Sequence, residues 1–151
     1  MATAEPTTAL TLIIKRTIPE PRAKVFDAWT SPELIRQWFM PGEQFTVPVA
    51  EVDLRVGGAY RIDMRPPDQG ADNIVSGIYR EIVKPERLVF TWTWKDQPAV
   101  MLVTLTFNDL GASTELVLKH EYLPSEDSRT RHERGWAGCL QQLEKFSTGK
   151  Q

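Results

Sequence analysis

One cysteine, Cys139, is all the thiol the chain carries, so no internal disulfide can form and a reducing, cytoplasmic setting is expected. No apolar run is long enough to span a bilayer, which argues against a membrane role. No basic run or stripe is present either. The 18 Lys and Arg side chains are mixed with 20 Asp and Glu along 151 residues, for a net charge of -2, and nucleic acid is not an expected partner. Residues Met1 to Ala9 lack the basic and apolar regions of a signal peptide and are expected to form a disordered tail. Gly-x-Ser-x-Gly, a phosphate loop and a dinucleotide fingerprint are all missing. Gly57-Gly58 follows a short strand but opens another strand, not a helix. Closely paired ligands such as CxxC or HExxH are absent, and His132 and Cys139 lie about two helical turns apart, so neither a metal nor a cofactor is expected.

What the chain does have is a long amphipathic segment near its end. Ser125 is placed to cap a helix, with Glu126 and Asp127 in the first turn where the helix dipole favours negative charge. Trp136, Cys139, Leu140, Leu143 and Phe146 recur at spacings of three and four, one apolar stripe over about six turns. Glu133, Arg134, Gln141, Glu144 and Lys145 occupy the other face. Such a helix needs an apolar partner, and the preceding chain is rich in alternating strands. Leu10 to Ile18 reads as the first. Two short helices follow: Arg22 to Thr30, and a second started by Ser31-Pro32 with Leu34, Ile35, Trp38 and Phe39 on one side. From Phe45 on the pattern is strands, with Pro48 breaking the first of them and Gly77 read as a bulge. Tyr60, Ile62 and Met64 share a face, as do Leu88, Phe90, Trp92 and Trp94, then Met101, Val103, Leu105 and Phe107, then Leu116, Leu118 and His120. Short turns join them, so neighbours should pair antiparallel. The expected fold class is α+β: a curved antiparallel sheet of about six or seven strands wrapped on a long C-terminal helix, residues 10–148 forming one domain.

Several local patterns carry a resemblance. Pro21 precedes Val25-Phe26-Asp27-Ala28-Trp29-Thr30, then come Pro32-Glu33-Leu34 and Gln37-Trp38. Asp53, Arg55, Gly57-Gly58 and Tyr60 make a central turn; Gly77, Tyr79, Glu81-Ile82, Pro85, Arg87-Leu88 and Phe90-Thr91-Trp92 make the next hairpin; His120, Pro124, Gly135-Trp136, Leu140 and Leu143 close the series. In this order they resemble the bacterial proteins named after the activator of the ninety-kilodalton heat-shock protein ATPase, within the START-like, polyketide-cyclase-like helix-grip superfamily. The resemblance implies the helix-grip fold strongly and function weakly, because this fold hosts many unrelated functions. Glu121-Tyr122 is bulkier than that pattern expects, and Tyr122 is read as narrowing one mouth of a cavity.

Two readings of the aromatic set stay open on the residues alone: a filled core, or a cavity with aromatic walls. The resemblance favours the cavity, holding a small apolar or aromatic ligand between sheet and helix. Its candidate lining is Trp38, Phe39, Tyr60, Met64, Trp92, Trp94, Met101, Phe107, Trp136, Cys139 and Leu140, with His120 and His132 as a polar end. His132 lies four residues before Trp136 and shares the helix's inner face, a placement that would let the two histidines face each other across one mouth; the other reading is a pair of satisfied or half-exposed histidines. Histidine can donate, accept or shuttle a proton near neutral pH, which keeps a cyclase- or hydrolase-type enzyme as an alternative, although no catalytic motif is identified. A chaperone partner enters by family analogy only. A homodimer through a sheet edge or the two small helices is compatible with the pattern, but no residue specifies it.

Overall fold

A computed structural model describes residues 10–67 and 73–149; the expected tail, 1–9, and residues 68–72 of the loop after the third strand lie outside them. The elements run β1 (Leu10–Ile18), α1 (Arg22–Thr30), α2 (Pro32–Trp38), β2 (Thr46–Val52), β3 (Ala59–Arg65), β4 (Asn73–Val83), β5 (Arg87–Trp94), β6 (Met101–Asp109), β7 (Thr114–Leu123) and α3 (Glu126–Gly149). The strands form one seven-stranded sheet in the order β1-β7-β6-β5-β4-β3-β2. Every pairing is antiparallel. The crossover from β1 to β2 carries the two short helices, and β1 returns to pair with β7.

The local chemistry sets these boundaries. Pro21 precedes α1 in extended backbone, and α1 buries Val25, Phe26, Ala28 and Trp29. Ser31 ends α1 and caps α2, its Oγ accepting from the Leu34 N–H at 3.4 Å. Ser125 caps α3 in the same manner, accepting from the Ser128 N–H at 3.0 Å. The inward faces of β5, β6 and β7 match the alternation in the sequence, with Leu88, Phe90 and Trp92, Met101, Val103, Leu105 and Phe107, and Leu116, Leu118 and His120 all buried.

Curvature comes from irregular pairing. Register shifts occur between Thr46 and Val49, around Pro48, which has no N–H to give the ladder. Another falls between Tyr79 and Glu81, so the bulge expected at Gly77 sits at Arg80 instead. Gly77 pairs with Tyr60, whose ring covers it. A Cβ at Gly77 would stand 2.7 Å from the Tyr60 ring and 2.0 Å from the Thr91 carbonyl oxygen, so only glycine permits that approach. The third shift, between Leu10 and Thr11, leaves Tyr122 as the extra residue of β7, at φ 67°.

α3 lies against β1, β7 and α2, and its backbone stands off from β3, β4 and β5. Gly138 sets the closest approach: a Cβ there would be 2.1 Å from the Pro41 carbonyl oxygen. Trp136, Cys139, Leu140 and Leu143 are buried beneath the helix, and each large apolar side chain of this kind contributes about 1.5–3 kcal/mol of burial free energy. No helix among the described residues is long and apolar enough to cross a membrane.

Candidate functional site

Where α3 departs from the middle of the sheet, a cavity of about 420 Å³ remains. Its walls come from four places. β3, β4 and β5 give Met64, Asn73, Ile74, Trp92 and Trp94; the connection after β5 gives Lys95, Asp96 and Gln97. The segment after α2 gives Phe39, Pro41 and Phe45, and α3 gives Arg131, His132, Gly135, Trp136 and Cys139. Exposure sorts the lining. Asn73, Lys95, Asp96, Gln97 and Arg131 are exposed and polar, whereas Phe39, Met64, Ile74, Trp92, Trp136 and Cys139 are buried. The cavity is therefore apolar within and polar at its rim.

Of the residues singled out from the sequence, Phe39, Met64, Trp92, Trp94, His132, Trp136 and Cys139 lie on this wall. The others lie elsewhere, each for a visible reason. Trp38 turns away to donate its indole N–H to the Ala28 carbonyl at 2.8 Å, tying α2 to α1. Tyr60 donates its hydroxyl to the Thr91 carbonyl at 2.6 Å and borders a second, much smaller void with Trp29, Tyr79 and Phe90. Phe107 packs on Phe26 of α1 at 5.3 Å between ring centroids. Leu140 is fully buried beneath α3. Met101 sits under His120. His120 is itself fully buried, so the histidine on the cavity wall is His132. Tyr122, expected to narrow a mouth, is 55% exposed and outside the lining, because the bulge turns it outward. Asp53 and Arg55 form an exposed ion pair at 2.9 Å in the β2–β3 turn, also away from the cavity.

Sequence periodicity missed Arg131 and Gly135. They fall with Cys139 at intervals of four, a second row beside the apolar stripe, and that spacing was the available signal. Lys95, Asp96 and Gln97 carry no pattern. Their place follows from the turn, in which the Lys95 N–H bonds the Ile74 carbonyl and the Gln97 N–H bonds the Trp94 carbonyl.

The two histidines meet, with ring centroids 4.7 Å apart, and both are satisfied. Each accepts a hydrogen bond from a tryptophan. The Trp136 indole donates to His120 Nδ1 at 2.9 Å, and the Trp94 indole donates to His132 Nε2 at 2.9 Å. An indole N–H can only donate, so both tautomers follow. His120 carries its proton on Nε2, directed at the Met101 sulfur at 3.3 Å. His132 carries its proton on Nδ1 and gives it to the Ser128 carbonyl at 2.8 Å. Burial, reinforced by the neighbouring His132, pushes the His120 pKa down to about 3. Burial also lowers that of His132, the Ser128 carbonyl opposing and Arg131 adding to the effect. Both rings are neutral, and neither has a lone pair left to act as a base. Cys139 is a buried thiol whose pKa burial raises, so it is neutral as well. Among the described residues no group of three His, Cys, Asp or Glu is placed to hold a metal ion.

The aromatic rings form a continuous set. Trp38 meets Trp29 at 4.7 Å, Trp29 meets Trp136 at 5.9 Å, Trp136 meets Trp92 at 4.8 Å and Trp92 meets Trp94 at 5.5 Å. The buried Trp29 and Trp92 indole nitrogens have no hydrogen-bond partner.

A curved antiparallel sheet closed by one long helix, with two short helices after its first strand, defines a helix-grip protein. The chain belongs to the family described as Activator of Hsp90 ATPase homolog 1-like protein, whose model matches residues 19–147. It is 31% identical over 113 residues to the human protein named Activator of 90 kDa heat shock protein ATPase homolog 1. That match covers 71% of this chain but only 30% of the human protein's length. A crystal structure of a Chromobacterium violaceum protein superposes with a TM-score of 0.84 at 29% identity, covering 93% of this chain and 98% of the other. The crystal structure of an AHSA1 protein from Silicibacter pomeroyi gives 0.79 at 25% identity, over 89% and 95% of the two chains.

Proposed function

We propose that the protein binds a small apolar or aromatic molecule in the cavity between α3 and strands β3 to β5. The supporting observation is the hollow itself: about 420 Å³ behind a polar rim, in a fold whose core is otherwise packed with aliphatic and aromatic side chains. That volume lies in the range of small-molecule pockets. A ligand of ~20 non-hydrogen atoms at about -0.3 kcal/mol per atom would bind with roughly -6 kcal/mol, a Kd in the tens of micromolar. Trp92, Trp94 and Trp136 all border the cavity and act as reporters.

The test is tryptophan fluorescence and melting temperature against a panel of lipids, polyaromatics and steroid-like compounds. A saturable quench with a matching rise in melting temperature is expected, and both should vanish in Gly135→Leu. Gly135 lies on the cavity wall and a Cβ there meets nothing within 4 Å, so a leucine at this position is expected to take up part of the space. A flat response across the panel sinks the proposal. The likeness to the human activator supports a second reading, a module that engages a chaperone ATPase. Recovery of the host's heat-shock ATPase with this chain at micromolar concentration would support it, and empty recovery would remove it.

A further inference from the structure

We infer that the cavity selects amphipathic anions: an aromatic body goes in, and a carboxylate or sulfonate stays at the rim beside Arg131. The inference rests on the ligand-binding reading above and adds the chemistry of the head group.

The wall divides by what it has left to offer. Within, the Trp94 and Trp136 donors are already used by His132 and His120, and the unpaired donor left on the buried wall is the neutral Trp92 indole N–H. The nitrogens of His132 are both engaged, by Trp94 and by Ser128. No carboxylate lies on the buried part of the lining. A cation taken inside would have no counter-charge and no acceptor, and an anion taken inside would have no cation. The charged part of a ligand must therefore remain at the rim.

The rim carries Lys95, Asp96 and Arg131, two cations and one acid. Arg131 is paired with Asp127 one helical turn away at 3.4 Å, with both side chains largely in solvent at 63% and 84% exposure. An exposed pair of that spacing is weak and easily exchanged. Arg131 can then present its planar fork of donors to a carboxylate or sulfonate, a match that lysine lacks. Gly135 stands between Arg131 and Cys139 on the same row of the helix and leaves the path from rim to interior clear of side chain.

Two probes with the same anilinonaphthalene skeleton test this: 8-anilinonaphthalene-1-sulfonate and its uncharged analogue N-phenyl-1-naphthylamine, titrated into the whole protein by their fluorescence gain. Arg131→Gln should weaken the sulfonate about 3- to 10-fold and leave the neutral probe unchanged. Asp127→Asn, which frees Arg131, should tighten the sulfonate only, and added salt should weaken the sulfonate only. Gly135→Leu should weaken both. If both probes bind, both are lost in Gly135→Leu, and Arg131→Gln alters neither, the head-group inference is overturned while the cavity reading survives. If neither probe binds, or Gly135→Leu changes nothing, both fall.

Discussion

In the pair of buried His120 and half-buried His132, every ring nitrogen has a partner; burial holds the rings neutral, and the indoles of Trp136 and Trp94 use the remaining lone pairs. Two expectations follow at this scale. Trp136→Phe removes a donor and leaves His120 Nδ1 buried and unsatisfied. Trp92→Phe removes an indole N–H that had no partner. Both changes lose similar volume, so the difference isolates the hydrogen bond: in urea titrations Trp136→Phe should cost about 1–2 kcal/mol more than Trp92→Phe. Equal costs would show that the indole–imidazole bond contributes nothing. The second expectation concerns pH. His120 titrates at about 3 when folded, against 6.5 when unfolded. Above 6.5 both states are neutral and its contribution to stability is complete. As pH falls toward 3 the unfolded chain takes up a proton that the folded chain refuses, so stability drops by about 1.4 kcal/mol per pH unit. His132 acts in the same direction. His120→Gln keeps an acceptor for Trp136 but does not titrate. It should be less stable than the parent near neutral pH, with a gap that narrows steadily between pH 6 and 4.5. A gap independent of pH would contradict the assignment.

α3 carries two glycines three residues apart that meet opposite surroundings. Gly135 faces the cavity, and a Cβ there meets nothing within 4 Å; Gly138 presses on Pro41, where a Cβ would be 2.1 Å from the carbonyl oxygen. Gly135→Ala should therefore stabilise by about 0.5–1 kcal/mol through helix propensity. Gly138→Ala gains the same propensity but forces the helix off the α2–β2 connection, for a net loss of about 1–3 kcal/mol. Chemical denaturation of the two variants checks both signs, and a stabilised Gly138→Ala would mean that the contact yields freely. Helix periodicity alone placed α3, its Ser125 cap and its apolar stripe. It could not separate these glycines, because the neighbour that distinguishes them, Pro41, is nearly a hundred residues away along the chain.

For the whole molecule the consequence of a hollow is linkage. A ligand that binds only the folded state at a hundred times its Kd adds about 2.7 kcal/mol. Calorimetric melts with the best compound of the panel should rise with the logarithm of its concentration, and the same compound should leave Gly135→Leu unmoved. A melting temperature that does not depend on concentration would leave the fluorescence change without a folded-state site. The fold was legible from alternation, turn residues and one amphipathic helix, and the sheet, its antiparallel pairing and the order of elements stand as expected. The cavity lining was legible only in part. Trp38, Tyr60 and Phe107 have the same aromatic character as Trp92 and Trp136, but hydrogen bonds and packing with Ala28, Thr91 and Phe26 direct them elsewhere.

The sequence by itself determined the secondary structure and the inward faces of the central strands, because periods of 2 and 3.6 residues carry that information locally. Tertiary structure alone decided which aromatics border the hollow, which histidine faces it, and that Arg131 and Lys95 stand at its rim. Those outcomes depend on where α3 leaves the sheet. That departure is set by the close contact of Gly138 with Pro41 and by bulges that bend the strands, distances between residues far apart in the chain that no local period encodes.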